Sequence, residues 1–137
     1  MNKNKLKILL ARYGLDGHDK GIITVMNACK NAGMEIVYIH FSNPKEIVKS
    51  AIEEDVDVIG VTSSLGQHML VSSVLMEELE HNKVNIPVII GGGIPSVDVP
   101  KLIDMGIRKV FGLGSTPEEV VSFISQMEQK GNHELLC

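Results

Sequence analysis

Two neighbouring segments, LKILLA at residues 6–11 and LDGHDKG at residues 15–21, indicate how this chain folds. The first is apolar with little alternation, which is typical of a strand buried on both faces of a parallel sheet. The second contains Gly17 and Gly21, and apolar residues at helical spacing follow it over residues 22–32 until Gly33 marks an end. A buried strand, a glycine-containing loop and a helix are the first half of a parallel β-α-β unit.

The loop in this unit carries a histidine between two aspartates. Asp16 lies two residues before His18, and the glycines free the backbone, so a carboxylate could orient an imidazole that projects outward. This arrangement favours His18 as a metal ligand. The alternative is an ordinary helix start, in which Asp16 or Asp19 caps the helix and His18 is solvated. Taken alone, the loop leaves both interpretations open.

The rest of the chain repeats the same alternation. Strands are predicted at residues 35–40, 56–61, 88–90 and 108–111, and helices at residues 43–54, 69–80, 97–105 and 115–129. We therefore predict a flavodoxin-like, Rossmann-like α/β fold: a doubly wound five-stranded parallel sheet in the order 2-1-3-4-5, with helices on both faces. We expect one domain over residues 1–137, with an ordered core at about residues 5–130 and a tail at residues 131–137.

Helical periodicity also predicts which side chains point inward. The inward residues are predicted to be Ile47, Val48, Ala51 and Ile52 in the second helix, and Leu70, Val74, Leu75 and Leu79 in the third. We expect His68 to start the third helix or to lie at the surface.

Composition excludes several classes of function. A hydrophobic fraction of 44% with a net charge of -4 is typical of a globular protein and gives no reason to expect nucleic acid as a partner. No apolar run approaches the roughly 20 residues that cross a bilayer, and the N-terminus has no cleavage-site pattern, so we expect a cytoplasmic protein with no membrane partner. Cys29 and Cys137 belong to no CxxC motif and are predicted to be reduced thiols.

The unusual loops all follow strands, at residues 16–21, 63–67, 91–95 and 112–116, so they should meet at the carboxyl edge of the sheet. Three glycines at residues 91–93 form either a plain turn or bare backbone against which a ligand can lie. Ser63 and Ser64 are either turn residues or compact hydrogen-bonding groups. A phosphoacceptor domain is not supported, because Thr62 and Ser63 stand where its aspartate would be. GxSxG and GxGxxG motifs are also missing.

Three segments together, DxHxxG at residues 16–21, SxL at residues 63–65 and GG at residues 91–92, resemble the signature of cobalamin-binding domains. The surrounding words LARYGLDGHDKG and GGIP are similar to the acyl-CoA mutase branch of that family. This resemblance implies that His18 is the lower axial ligand of cobalt and that Asp16 orients it. It also implies that the cofactor's nucleotide tail enters between the loop at Ser63 and the glycines. The site residues implied by the resemblance are Asp16, Gly17, His18, Asp19, Gly21, Thr62, Ser63, Leu65, Gly91, Gly92, Gly93, Phe111, Gly114 and Ser115.

The resemblance further implies a cofactor and a partner. The cofactor is adenosylcobalamin, and the reaction is a radical 1,2 rearrangement of the carbon skeleton of an acyl-CoA, which makes the enzyme an isomerase. A separate large subunit with a (β/α)8 barrel binds the acyl-CoA, because 137 residues leave no room for that barrel. The alternatives are a cobalamin subunit of glutamate mutase, a corrinoid carrier or delivery protein for methyl transfer, and a B12 sensor.

Overall fold

Strands and helices alternate along the chain in the computed structural model, which describes residues 5–13, 20–62, 66–112 and 114–136. The strands are β1 (Lys7–Tyr13), β2 (Glu35–Phe41), β3 (Val58–Thr62), β4 (Val88–Gly91) and β5 (Lys109–Phe111). The helices are α1 (Lys20–Asn31), α2 (Lys45–Glu54), α3 (His68–His81), α4 (Val99–Met105) and α5 (Pro117–Leu136). A short 3-10 helix, Ser96–Asp98, precedes α4.

The strands form one parallel sheet in the order β2-β1-β3-β4-β5, which confirms the predicted flavodoxin-like fold. In the register of this sheet, Leu10 lies opposite Gly60, and Thr62 lies opposite Gly91. The carboxyl ends of β1, β3 and β4 therefore lie side by side. Because chain order and strand order differ at β1 and β3, the connections leave on opposite faces there and a crevice opens between them.

Each face of the sheet has its own hydrophobic core. Leu9, Ile59 and Ile90 point to the face covered by α2, α3 and α4. Leu10, Val58 and Ile89 point to the opposite face, where they meet Ile22 and Cys29 of α1 and Ile124 of α5. This two-sided burial explains why the strand sequences are continuous apolar runs rather than alternating ones.

Two residues predicted to point inward face solvent instead. Ile52 is 47% exposed in α2, and Leu70 is 63% exposed in α3. The inward face of α3 consists of His68, Val71, Ser72, Leu75 and Leu79. Apolar residues occur around most of the circumference of α3, so periodicity alone did not identify the face that carries two polar side chains.

The last helix is longer than the sequence predicted. It was expected to end near residue 129, with a tail from residue 131, but α5 continues to Leu136. One glycine inside a helix costs about 1 kcal/mol relative to alanine, and no proline follows Gly131 to end the helix. No helix in the described part of the chain has both the length and the apolar composition of a bilayer span.

We expect the thiol of Cys29 to resist labelling in the folded protein. The side chain is 0% exposed, and burial raises the pKa of the thiol from 9.0 to about 11. A Cys137→Ser variant should therefore react slowly with a thiol reagent at about pH 8 and completely in denaturant. Because folding raises this pKa, its contribution to stability is complete below pH 9.0 and is lost as the pH rises towards 11. Fast labelling in native buffer would contradict the burial.

Candidate functional site

A cavity of about 480 Å³ lies between the sheet, α1 and α5. Four strands contribute to its walls, through Leu10 of β1, the end of β3, the end of β4 and Phe111 of β5. The first turns of α1 and α5 complete the lining. The lining is mostly apolar, as in small-molecule sites that bury most of a ligand and orient it with few polar groups. The cavity lies at the carboxyl edge of the sheet, where the unusual loops were predicted to meet.

One wall of the cavity is bare backbone. Gly91 ends β4, and Gly92 has a φ of 119°, a conformation that side-chain-bearing residues rarely adopt. The N–H of Gly92 donates to the carbonyl oxygen of Phe111 at 3.3 Å, and the N–H of Ile94 donates to the carbonyl oxygen of Gly92 at 2.9 Å. A Cβ added at Gly93 would meet no atom within 4 Å. A flat group can therefore lie against this wall, which we call the glycine wall (residues 91–93).

A glycine inside a strand allows close packing beside the cavity. A Cβ at Gly60 of β3 would lie 2.9 Å from Cδ2 of Leu10, and both residues line the cavity. The missing side chain therefore lets Leu10 pack directly against β3. Sequence reasoning missed Gly60, although a lone glycine in the middle of a buried strand is itself a signal of close approach.

A buried hydroxyl lies at the end of β3, in a residue that lines this cavity. Oγ1 of Thr62 is buried and has no hydrogen-bond partner in the described part of the chain. A buried hydroxyl without a partner is unfavourable by about 1–3 kcal/mol, so a polar atom of a ligand next to it would gain a hydrogen bond. Thr62 is therefore the polar group that best fits a ligand in this cavity.

The first turn of α5 forms the opposite wall and is fixed by a capping box. The N–H of Thr116 donates to Oε1 of Glu119 at 2.6 Å, and the N–H of Glu119 donates to Oγ1 of Thr116 at 3.2 Å. These bonds satisfy two N–H groups at the helix start, as in S/T-x-x-E sequences generally. Thr116 and Pro117 line the cavity, and sequence reasoning missed them as site residues because it read them only as a helix start.

The structure brings about half of the predicted site residues together. Gly114 is described but does not line the cavity. Six predicted residues fall outside the described part of the chain: Asp16, Gly17, His18, Asp19, Ser63 and Leu65. Those that line the cavity are Gly21, Thr62, Gly91, Gly92, Gly93, Phe111 and Ser115.

A polar cluster lies at the ends of β1 and β2, next to the segment that contains His18. The side chain of Arg12 is buried, and its Nη2 atom is 3.2 Å from Nε2 of His40. The same Nε2 atom is 3.2 Å from the hydroxyl of Tyr38. This cluster places a positive charge at the carboxyl end of β1.

A second polar contact joins α3 to the 3-10 helix at the same edge. Nε2 of His68 is 2.7 Å from Oδ2 of Asp98, and the side chains are 6% and 19% exposed. Of the two expected locations, His68 has the first: it starts α3, and its side chain is buried against this carboxylate and does not lie at the surface. Sequence reasoning also missed Asp98. In the described residues, no three His, Cys, Asp or Glu side chains form a group that could hold a metal ion.

Comparison with known proteins defines the class. A family model for the B12 binding domain matches residues 6–122 of the chain. The chain is 37% identical over 131 residues to the pivalyl-CoA mutase small subunit of Xanthobacter autotrophicus, covering 94% of this chain and 88% of that one. It is 33% identical over 130 residues to the 2-hydroxyisobutanoyl-CoA mutase small subunit of Aquincola tertiaricarbonis, covering 93% and 95%.

The chain therefore belongs to the B12-binding domain family, and within it to the small subunits of acyl-CoA mutases. A solved structure agrees at the level of the fold. The crystal structure of a cobalamin-binding protein from Desulfitobacterium hafniense aligns with a TM-score of 0.76 at 20% identity, over 90% of this chain and 59% of that one. The cavity lined by β3, β4 and α5 is thus the candidate cobalamin site.

Proposed function

We propose that this chain is the cobalamin-binding small subunit of an adenosylcobalamin-dependent acyl-CoA mutase. It holds the cofactor at the carboxyl edge of its sheet, and a separate large subunit with a (β/α)8 barrel binds the acyl-CoA. When bound, adenosylcobalamin supplies the radical chemistry of a 1,2 carbon-skeleton rearrangement. The part of this chain is to bind the cofactor, to orient it and to exclude water from it.

The observation that carries this proposal is the match between the cavity and the nucleotide tail of cobalamin. The tail ends in a flat aromatic base, which needs a wall without side chains, and residues 91–93 provide one. Gly60 lets Leu10 pack directly against β3, and both residues belong to the apolar lining of the cavity. The buried Oγ1 atom of Thr62 lacks a partner in the described residues and can bond to a polar atom of the tail.

In this proposal His18 would bind the cobalt of the cofactor through its imidazole, and Asp16 would hydrogen-bond to that imidazole and orient it. Both lie outside the described residues, so their roles rest on the DxHxxG motif and on family membership. The structure supports their location, because the motif joins β1 to α1 at the edge where the cavity lies. A carboxylate bonded to the second ring nitrogen fixes the tautomer of a metal-binding histidine and raises its basicity.

A comparison of two EPR spectra tests whether a protein nitrogen binds the cobalt. The chain is expressed with natural nitrogen and with ¹⁵N, loaded with cobalamin and reduced to the cobalt(II) form for EPR. If an imidazole of the protein is the axial ligand, each cobalt line splits into a triplet in the first sample and a doublet in the second. Triplets in both samples would show that the cofactor keeps its own base, and the proposed role of His18 would be wrong.

The partner is tested separately. The chain is mixed with a candidate large acyl-CoA mutase subunit, and acyl-CoA rearrangement is measured with and without adenosylcobalamin. Activity that requires both chains and the cofactor supports the proposal. Methyl transfer from the loaded chain to a methyltransferase would favour the carrier interpretation instead.

A further inference from the structure

The contact between His68 and Asp98 is more deeply buried than a surface ion pair. The His68 side chain is only 6% exposed, and Nε2–H donates to Oδ2 of Asp98 at 2.7 Å. Nδ1 of His68 is buried without a hydrogen-bond partner in the described residues. A buried ring nitrogen without a hydrogen-bond partner is unfavourable, so this arrangement calls for an explanation.

A catalytic role for this histidine does not fit its surroundings. Neither His68 nor Asp98 is among the residues that line the cavity, whereas Thr62 is, so a ligand in the cavity does not contact this pair. What the contact does connect is two backbone segments, the start of α3 and the 3-10 helix.

The backbone that it connects includes the glycine wall. At one end, the segment at residues 91–98 is fixed by β4, where Gly91 lies opposite Thr62. At the other end, the side chain of Asp98 bonds to the first residue of α3. That helix is anchored in the core by Val71 and Leu75, so His68 is a firm point of attachment. Between the two ends, Gly92 and Gly93 have no side chains to restrict them.

We propose that His68 and Asp98 are positioning residues that hold the glycine wall in the conformation that accepts the cobalamin tail. This inference rests on the proposed function, because the tail is the ligand of the wall. A wall already fixed in its bound shape loses less conformational entropy on binding, so the contact raises the affinity for the cofactor. Removing one hydrogen bond of this kind should weaken cobalamin binding about tenfold.

The test uses the full chain and four variants: His68→Ala, Asp98→Ala, the double variant and His68→Gln. Glutamine places its amide nitrogen near the position of Nε2, so it should keep the bond to Asp98. Lys101→Ala is the matched control, because Lys101 is exposed and only approaches the other carboxylate oxygen of Asp98, at 3.9 Å. Two quantities are measured where every variant is folded: the Kd for adenosylcobalamin by equilibrium dialysis, and the amide hydrogen exchange of Gly92 and Gly93 in the cofactor-free chain.

We expect Kd to rise about tenfold in His68→Ala and in Asp98→Ala, with no further rise in the double variant, because both changes remove the same contact. Exchange at Gly92 and Gly93 should become faster in these three variants. His68→Gln and Lys101→Ala should resemble the wild type in both measurements. A contact that served stability alone would lower Tm and leave Kd and glycine exchange unchanged.

Unchanged Kd and unchanged exchange in folded Asp98→Ala would overturn the inference. Asp98 is the more exposed partner, so this variant decides the question even if His68→Ala does not fold. If the wild-type chain failed to bind cobalamin, the proposed function would be wrong. That outcome is distinct from a failure of the inference about His68 and Asp98. Glycine exchange without cofactor would then still show whether the contact restrains the wall.

Discussion

Replacing His18 by alanine is expected to remove the nitrogen splitting from the EPR spectrum of the bound cobalt. It should also lower turnover of the assembled mutase by at least about a hundredfold, which exceeds the usual effect of changing a residue behind a metal ligand. In its proposed role, the imidazole of His18 would bind the cobalt and set its electronic state. Without it, the cofactor would be held only through its tail.

Two further variants serve as comparisons for His18→Ala. Asp16→Ala should keep the nitrogen splitting and weaken cofactor binding by about ten- to a hundredfold, because the proposed role of Asp16 is to orient the ring and not to bind the metal. His81→Ala, at the exposed end of α3, should leave both the spectrum and turnover unchanged. A doublet splitting retained in ¹⁵N-labelled His18→Ala would assign the ligand to another residue of the protein.

Replacing Gly92 by alanine should be the most damaging change in the described part of the site. Its φ of 119° strains any residue with a side chain by about 1–3 kcal/mol, and the added methyl group would stand on the glycine wall. Relief of that strain would displace the backbone hydrogen bond that the N–H of Gly92 donates to the carbonyl oxygen of Phe111. We therefore expect a lower free energy of unfolding together with at least about tenfold weaker binding of adenosylcobalamin.

Gly33→Ala separates these two effects. Gly33 also has a positive φ, of 88°, but it follows α1 at the opposite edge of the sheet and lies outside the cavity. This control should lose comparable stability in a denaturant titration and keep the Kd for the cofactor. Equal losses of affinity in both variants would mean that general destabilisation, not the wall, governs binding.

The architecture was predictable because its signals are local and repeated. Each buried strand is a short apolar run, each helix has its own period, and the short connections leave a parallel sheet with few possible orders. The ends of the strands were harder to predict than their existence. The first strand was predicted to end at residue 11, but β1 continues through Arg12 to Tyr13, because pairing with β2 extends it beyond its apolar core.

The site was predictable where the backbone itself carries the signal, as in the glycines at residues 91–93. The site was not predictable where tertiary contacts determine which side chains are buried. The burial of His68 depends on Asp98, which is thirty residues away in sequence, and no periodicity links the two. Leu70 was assigned to the interior for the same reason: the inward face of α3 includes His68 and Ser72, which a hydrophobic pattern excludes.

The apolar lining of the cavity also links cofactor supply to the lifetime of the protein. A ligand that fills the cavity adds dispersion contacts with this lining, so the chain with its ligand bound is more stable than the chain alone. By mass action, a ligand at a hundred times its Kd adds about 2.7 kcal/mol to the folded state. A cell short of the cofactor would then hold more unfolded chain, which proteases remove, so the amount of subunit would follow the amount of cofactor available to it.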